Sequence, residues 1–543
     1  MKTPGDPPHR FAYRRSPDQD VRSPAHHPVV IIGAGPVGLT LALDLAKRAV
    51  PVVLLDDSDC IGEGSRAICF AKRTLEIFDR LGLADAMVAK GVTWKTGKVF
   101  RGTEQLYAFD LQPEPGHKQP AFINLPQYHV EAALVAAVQA EPLVDLRWSN
   151  RLAGLAPRDD CGLLTVATPE GEYRLEADWV VACDGARSPT RGMLGLAFEG
   201  ETFEDKFLIA DVRMAADFPP ERWFWFAPPF HAGQSALLHK QPDDIWRIDL
   251  QLGPDADPEW EKRPEVVRPR IEQMLGHGDF ALEWVSVYRF QCRRLQRFIH
   301  DRVVFAGDAA HQVSPFGARG ANSGIQDADN LGWKLALVVK GVSPVALLAS
   351  YDSERREAAD DNILHSMRAT DFIAPRSPGE RVLRDAALSL AASGKFGAAF
   401  VNSGRLSLPT TYSNSPLSTR DEGFHGGVAP GAAFRDAPLL ASEGPHLWLS
   451  ETLRDGRPVV LSYGGGRRRL GSAGVGVVDV PAVVQQRERG PLEDPEAMLP
   501  RRYALVDGDA VVLRPDGHVA ARFHNPTREI VAAAVARLEG RAR

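Results

Sequence analysis

The chain has 543 residues, 44% of them hydrophobic and 25% charged, and a formal net charge of -6. That length exceeds one ordinary core and sets an expectation of two or three domains. The well-mixed charge leaves no basic footprint for nucleic acid, and no apolar run reaches the 18 or so residues of a membrane span, so neither partner is expected.

Residues 1–27 are rich in Pro, Arg and His and lack an apolar core. They are expected to be a disordered tail, not a signal peptide, despite Arg14-Arg15. The five cysteines, Cys60, Cys69, Cys161, Cys183 and Cys292, are odd in number and form no CxxC. That argues against a disulfide framework and against a structural zinc, so no metal is expected, and it points to a reducing cytoplasm.

Order is expected from Pro28. Val29-Val30-Ile31-Ile32 is a short β-branched run suited to a strand buried on both faces. Gly33-Ala34-Gly35-Pro36-Val37-Gly38 follows, then a helical stretch, then a second strand, Val52-Val53-Leu54-Leu55, ending at Asp56. Strand, G-x-G-x-x-G, helix, strand, acid is the dinucleotide-binding arrangement. Gly33 permits the tight turn, Gly35 lets backbone approach a pyrophosphate, and Gly38 lets helix and strand pack closely. The amino end of the helical stretch, Leu39 to Arg48, offers free N–H groups to phosphates, and Asp56 can accept from a ribose.

Two later segments repeat the pattern of an apolar strand ending in an acid. Trp179-Val180-Val181-Ala182-Cys183 runs into Asp184-Gly185 and on to Arg191, and Val303-Val304-Phe305-Ala306 runs into Gly307-Asp308. Only folding can gather three such tips at one sheet edge, and a ligand as long as FAD would span them. After Asp308 comes a glycine-broken loop and a helix whose apolar positions Ile325, Ala328, Leu331, Leu335 and Val338 mark a core-facing stripe. His311 in that loop is read as a packing residue in preference to a catalyst.

Taken together, the three motifs and the stretch "GDAAHQVSPFGARGANSGIQDADNLGWKLA" resemble the class A flavoprotein aromatic monooxygenases, the para-hydroxybenzoate hydroxylase-like enzymes. The resemblance covers roughly residues 29–374 and is nearer to the phenylpropionate and phenol hydroxylases, which carry a long carboxyl-terminal extension. It implies that Gly33, Gly35, Pro36 and Gly38 line the FAD pyrophosphate and that Asp56 meets the adenosine ribose. It also implies that Arg66 reaches the phosphates, Gln127 lies near the ribityl chain, and Asp184 and Arg191 bear on FAD and the nicotinamide cofactor. Asp308 would hold a ribityl hydroxyl. Pro315, Gly320 and Asn322 would sit against the isoalloxazine ring, beside a helix amino end that favours anionic reduced flavin.

From 196 to 288 charged and aromatic residues alternate. In "IWRIDLQL" Trp246, Ile248 and Leu250 lie on one face and Arg247, Asp249 and Gln251 on the other, the mark of half-buried antiparallel strands. The resemblance makes this the substrate sheet. His239 and Arg247 are weak candidates for substrate contact, with a solvated or salt-bridged sheet surface at least as open, and the catalytic residues are not assigned. "WFWFAP" is similar to a halogenase stretch but is read as strand packing. Residues 401–420 read as a linker. Beyond them, two strands flank Pro515-Asp516-Gly517 as a hairpin, and a helix ends the chain. This resembles the thioredoxin-like tail of phenol hydroxylases. It has no CxxC, which leaves a structural or dimerising role and makes a homodimer the candidate assembly. "YGGGRRRLG" has the wrong glycine spacing for a second dinucleotide fold, and its arginines read as a solvated loop.

The expected fold class is thus α/β. A Rossmann-like FAD-binding domain (28–195 and 289–400) carries an inserted, mostly antiparallel β-sheet substrate domain (196–288) and a thioredoxin-like domain without CxxC (421–543). The implied activity is hydroxylation of a small phenol-like aromatic substrate with NADH or NADPH and O2, through a flavin C4a-hydroperoxide. The alternatives are another flavin enzyme, such as a halogenase or dehydrogenase, and a non-catalytic FAD-fold carrier.

Overall fold

The structure, a computed structural model, describes residues 10–62, 66–392, 406–440, 446–464, 476–480, 494 and 497–541. The expectations placed on residues 1–9, on 393–405 and on most of "YGGGRRRLG" fall outside the described residues.

The first sheet runs Ile299–His300, Val303–Phe305, Gly171–Ala182, Ala25–Ile32, Val52–Leu55, Val144–Arg147. Its central strands are parallel, with Ile31 facing Val181 on one side and Leu54 on the other, and Val181 facing Val304. Val29, Val30, Ile31, Val180 and Val181 have no exposed surface, as expected where helices cover both faces. Helix Pro36–Lys47 lies against helix Gly320–Val339, and all five stripe residues named for the latter are buried. The register brings the three acid-tipped strands into one parallel sheet, with strand Ala25–Ile32 and its glycine loop between those that end at Asp184 and Asp56.

Residues 10–27 depart from the expected disordered tail. Phe11 stacks on Trp148 with centroids 4.5 Å apart. Asp18 pairs with the buried Arg147 at 2.5 Å, Ser16 caps the turn Pro17–Gln19, and the first strand already begins at Ala25. One aromatic and one buried ion pair suffice to fasten a segment whose composition is otherwise that of a tail.

The second sheet has eight strands in the order His311–Gln312, Ala281–Arg294, Glu199–Arg213, Ile245–Leu252, Ser235–Lys240, Arg222–Phe226, Thr96–Arg101, Glu104–Asp110. The last two come from the segment assigned to FAD binding. They are recruited because Thr96–Arg101 pairs parallel with Arg222–Phe226, placing Val99 beside Phe224. The alternation read in "IWRIDLQL" is present. Trp246, Ile248 and Leu250 pack with Val267 and Ile271 of helix Pro264–Leu275. The opposite face is not solvated, since Arg247 is 4% exposed and donates to the carbonyl of Arg66 at 3.0 Å. It is closed off by the FAD-binding part of the chain.

In the carboxyl-terminal part the sheet order is Gly476–Val480, Val459–Tyr463, Ala510–Leu513, Val519–Phe523, the first pair parallel and the others antiparallel. Helix Arg528–Leu538 follows. The hairpin at Pro515-Asp516-Gly517 forms, and its charges enter the FAD-binding part: Arg514 donates to both oxygens of Glu354 at 2.7 and 2.9 Å. Residues 406–420 are no free linker either. Tyr412 is buried, stacks on His518 at 4.6 Å and accepts from Arg355 Nη1 at 2.7 Å.

Candidate FAD and substrate site

The glycine loop divides its work by geometry. Gly33 has φ +103, and a Cβ there would lie 2.5 Å from the carbonyl oxygen of Cys183. A Cβ on Gly38 would lie 2.0 Å from the Gly33 oxygen, whereas one on Gly35 would meet no atom within 4 Å. Two glycines therefore serve the fold, and the third leaves open space in front of the helix amino end. Gly35 is the N-cap of that helix, with Pro36 in the first turn and no side chain bonded to the free N–H groups. Asp56 closes the loop, accepting from the amides of Ala34 at 2.6 Å and Ser58 at 2.8 Å. Burial pushes its carboxyl up to about 6 against those two donors.

At the neighbouring tips Asp184 Oδ2 accepts from the Thr190 amide at 2.9 Å, while its Oδ1 is buried with no partner among the described residues. Arg191 ties the two later tips together, donating to the carbonyls of Ala309 at 3.1 Å and Ala186 at 2.9 Å. Asp308 opens onto the groove. Crowding by the protein raises its carboxyl pKa, and His311 and Arg66 pull it back in part. Behind it, the Gly307 amide donates to Asp327 Oδ2 at 2.8 Å. His311 is buried against Phe298 and bonded to the same oxygen, a packing and holding position.

Arg66 is exposed at the groove, with its charge felt by Glu131 and Asp308. Gln127 Oε1 accepts from the Ala67 amide at 3.1 Å, and its Nε2 donates to Glu131 Oε1 at 2.7 Å. Glu131 Oε2 in turn accepts from the Gly62 amide at 2.8 Å. Glu131, not anticipated from the sequence, holds the loop that carries Arg66; its spacing of four from Gln127 on one helix was the available signal. Pro315 is exposed and accepts from the Ala318 amide at 3.0 Å. Gly320 opens its helix with open space beside it, the nearest neighbour to a Cβ being Val313 at 3.9 Å.

The Asn322 side chain is taken up by the protein. Its Oδ1 accepts from the Ala71 amide at 2.9 Å and the Thr74 hydroxyl at 2.6 Å. Its Nδ2 donates to the carbonyls of Cys69 at 2.8 Å and Ala318 at 2.6 Å. The side chain is fully used in stapling the helix start to strand Cys69–Ala71, so only its backbone is free to meet a ring.

A family model for an FAD binding domain matches residues 26–366. The chain is 32% identical to 6-methylpretetramide 4-monooxygenase of Streptomyces rimosus, over 91% of this chain and 90% of that one. The chain belongs to the class A flavoprotein monooxygenases. It is also 32% identical to a 3-(3-hydroxy-phenyl)propionate/3-hydroxycinnamic acid hydroxylase of Escherichia coli, over 67% of this chain and 66% of that one. The fold is that of the flavin-dependent monooxygenase PieE, solved in complex with FAD and substrate. The TM-score is 0.80 at 23% identity, covering 96% of this chain and all of that one. As a class A flavoprotein monooxygenase it is an FAD-dependent enzyme of the aromatic hydroxylase type. The residues gathered here fit FAD: bare backbone at Gly35, an orphaned carboxylate oxygen on Asp184, and an acid at the tips of three strands of one sheet.

The monooxygenase's second sheet presents its inner face to this groove. His239 and Arg247 do lie together there, paired across neighbouring strands. His239 is 4% exposed, and burial, then the charges of Arg222 and Arg247, hold its pKa well below the usual imidazole value. Arg247 is committed to the protein, donating to Asp211 Oδ1 at 3.0 Å. Arg222 lies close enough to Asp249 and Tyr107 of this sheet, and to Cys69 of the separate strand Cys69–Ala71, for their charges to interact. Beside them stands an aromatic wall of Phe207, Phe224, Phe226, Phe290 and Phe316. The alternation in "RWFWF" puts Arg222 on the side of Phe224 and Phe226, a signal usable once the register is known.

Proposed function

We propose that this monooxygenase hydroxylates an electron-rich, phenol-like ring at the expense of NADH or NADPH and O2. One contact carries the reading. Phe316, directly after Pro315 at the ring end of the FAD groove, packs against Phe207 at 4.7 Å and Phe290 at 5.6 Å on the substrate sheet. The loop that would meet the isoalloxazine thus continues into an aromatic wall suited to a flat apolar substrate. Gly33, Gly35, Pro36 and Gly38 would hold the pyrophosphate, Asp56 and Asp308 the hydroxyls at either end, and Asp184, Arg191, Arg66 and Gln127 the intervening segment. Bound FAD supplies the redox and oxygen chemistry; the chain's share is to orient the substrate ring and keep water out.

Trp223 and Trp225 support the hydroxylase over the halogenase reading, because they stack with Phe100 on the sheet's outer side, away from the groove. The carboxyl-terminal sheet, a parallel pair extended by an antiparallel hairpin and then a helix, supports reading that unit as thioredoxin-like. Its burial against the chain's own FAD-binding part favours a structural role over a dimerising one.

The test is to purify the protein, record the flavin spectrum, and screen phenols for stimulated NAD(P)H consumption with a product heavier by one oxygen. If no phenol couples reduction to oxygen insertion, the hydroxylase reading fails. Halide-dependent products would replace it with the halogenase reading.

A further inference from the structure

Residues 10–20 grip the loop that follows Asp56. The Phe11 amide donates to the Asp59 carbonyl at 2.6 Å, Arg10 and Cys60 form an isolated β-bridge, and Arg10 Nη1 meets Asp59 Oδ2 at 2.5 Å. From the other side the loop is tied to the residues after strand Val144–Arg147. The Ser149 amide donates to the Ser58 carbonyl at 2.8 Å, and the Asn150 amide to the Asp56 carbonyl at 2.7 Å. Ser58 stiffens the turn from within, its hydroxyl oxygen accepting from the Cys60 amide at 3.1 Å. Residues 56–60 are therefore held from two sides, and one of the two holders is the amino-terminal segment.

The segment is itself fastened to the same framework. The Phe11 ring lies on Trp148 with an interplanar angle of 5°. Trp148 directly follows Arg147, whose carbonyl accepts from the Asp56 amide at 3.0 Å. Further along, Asp18 Oδ2 accepts from Arg147 Nη2 at 2.5 Å and lies 2.8 Å from His27 Nε2. Arg15 pairs with Glu170 at 2.6 Å. The pairs of Arg10 and Arg15 are exposed and contribute little. The stacked rings and the buried Arg147 carry the fastening. A loop that must be ordered when a ligand arrives costs affinity, and one ordered beforehand does not. With Asp56 read as the ribose acceptor, the loop after it belongs to the adenosine end of the FAD site.

We propose that residues 10–20 form a strap that pre-orders the adenosine end of the FAD site, with Phe11 as its positioning residue. This rests on the placement of Asp56 against the ribose and is independent of which ring is hydroxylated. The probes are FAD and FMN, titrated into the full-length apoprotein and followed by flavin fluorescence. FMN carries the isoalloxazine, the ribityl chain and one phosphate but no adenosine, so the ratio of the two affinities reads the adenosine end. A general loosening of the fold weakens both and leaves the ratio where it was. Phe11→Ala should lower the preference for FAD over FMN by roughly 2- to 10-fold, the range of one stacked aromatic pair. Phe11→Tyr, which keeps a ring on Trp148, should restore it. Asp56→Ala tests the placement itself and should lower the preference as well. A ratio unchanged in Phe11→Ala, or lowered there and not restored by Phe11→Tyr, overturns the strap while leaving the placement of Asp56 intact. A ratio unchanged in Asp56→Ala overturns that placement, and the strap falls with it.

Discussion

His311 Nε2 lies 2.7 Å from Asp327 Oδ2, the oxygen that also accepts the Gly307 amide. One carboxylate on helix Gly320–Val339 thereby fixes the strand tip that presents Asp308 to the groove. Arg355 holds its other oxygen at 2.5 Å. Burial opposes ionisation of Asp327, but the charges of His311 and Arg355 outweigh it and the net pKa is lowered. His311 is thus a holder of the loop.

Removing that holder and removing the acid it presents should separate cleanly. Asp327→Ala leaves Arg355 buried without its partner and is expected to cost on the order of 3–5 kcal/mol, read by urea unfolding of the apoprotein. Asp308→Ala sits at the open groove, so the apoprotein should unfold normally while FAD affinity drops. Equal loss of stability in both would contradict this division.

The three loop glycines permit a second separation. Gly33→Ala forces a side chain onto the Cys183 carbonyl at positive φ and should destabilise the protein by roughly 1–3 kcal/mol or more. Gly35→Ala meets nothing in the protein, so apoprotein melting should not change. FAD should nevertheless bind about tenfold or more weakly, because the methyl would occupy the space proposed for the pyrophosphate. Flavin release measured by fluorescence checks it; unchanged FAD affinity in Gly35→Ala would mean the open space is not the phosphate site.

What the sequence made legible was local. The glycine loop, the three acid tips and the stripe of helix Gly320–Val339 are each written in consecutive residues, and periodicity or spacing reveals them. The meeting of Arg222, Asp249 and Cys69 was hidden because strand register joins the first two, and packing of a second sheet adds the third, from segments far apart in the chain. The partners of the Asn322 amide were hidden for the same reason: Ala71 and Cys69 belong to a strand that its motif does not contain. The folded character of residues 10–27 rests on Phe11 finding Trp148, which composition cannot foretell.

The carboxyl-terminal hairpin offers a third test. Arg514 is fully buried between Glu354 and Asp516, and Lys334 reaches the same Glu354 at 2.7 Å. Arg514→Met leaves two carboxylates facing one lysine, so a loss of about 3–5 kcal/mol is expected. Burial raises the Glu354 pKa, but Arg514 and then Lys334 outweigh it, and the net value lies far below the ordinary one. A depressed acid stabilises the fold above its unfolded pKa, near 4.3, and that contribution is lost as pH falls toward the folded value. Wild type should therefore weaken in acid, and Arg514→Met should weaken less steeply. Parallel acid-unfolding curves would show that the hairpin is not held by this charge.

Asp249 should behave in the opposite sense. Its carboxyl is raised to about 6 by burial, so between the ordinary carboxylate value near 4 and about 6 the folded protein keeps a proton that the unfolded chain has released. Its contribution to stability therefore falls as pH rises through that window and is level above it. Asp249→Asn removes the slope. Relative to wild type, the variant should gain on the order of 1–3 kcal/mol at about pH 8 and nothing at about pH 4. Asp56 and Asp436 are raised to the same region by burial, so the total pH profile will not isolate Asp249, but the difference between variant and wild type will, since the other two cancel. Urea unfolding at the two pH values decides it. A difference that stays constant with pH would mean that Asp249 is ionised in the folded protein across the range.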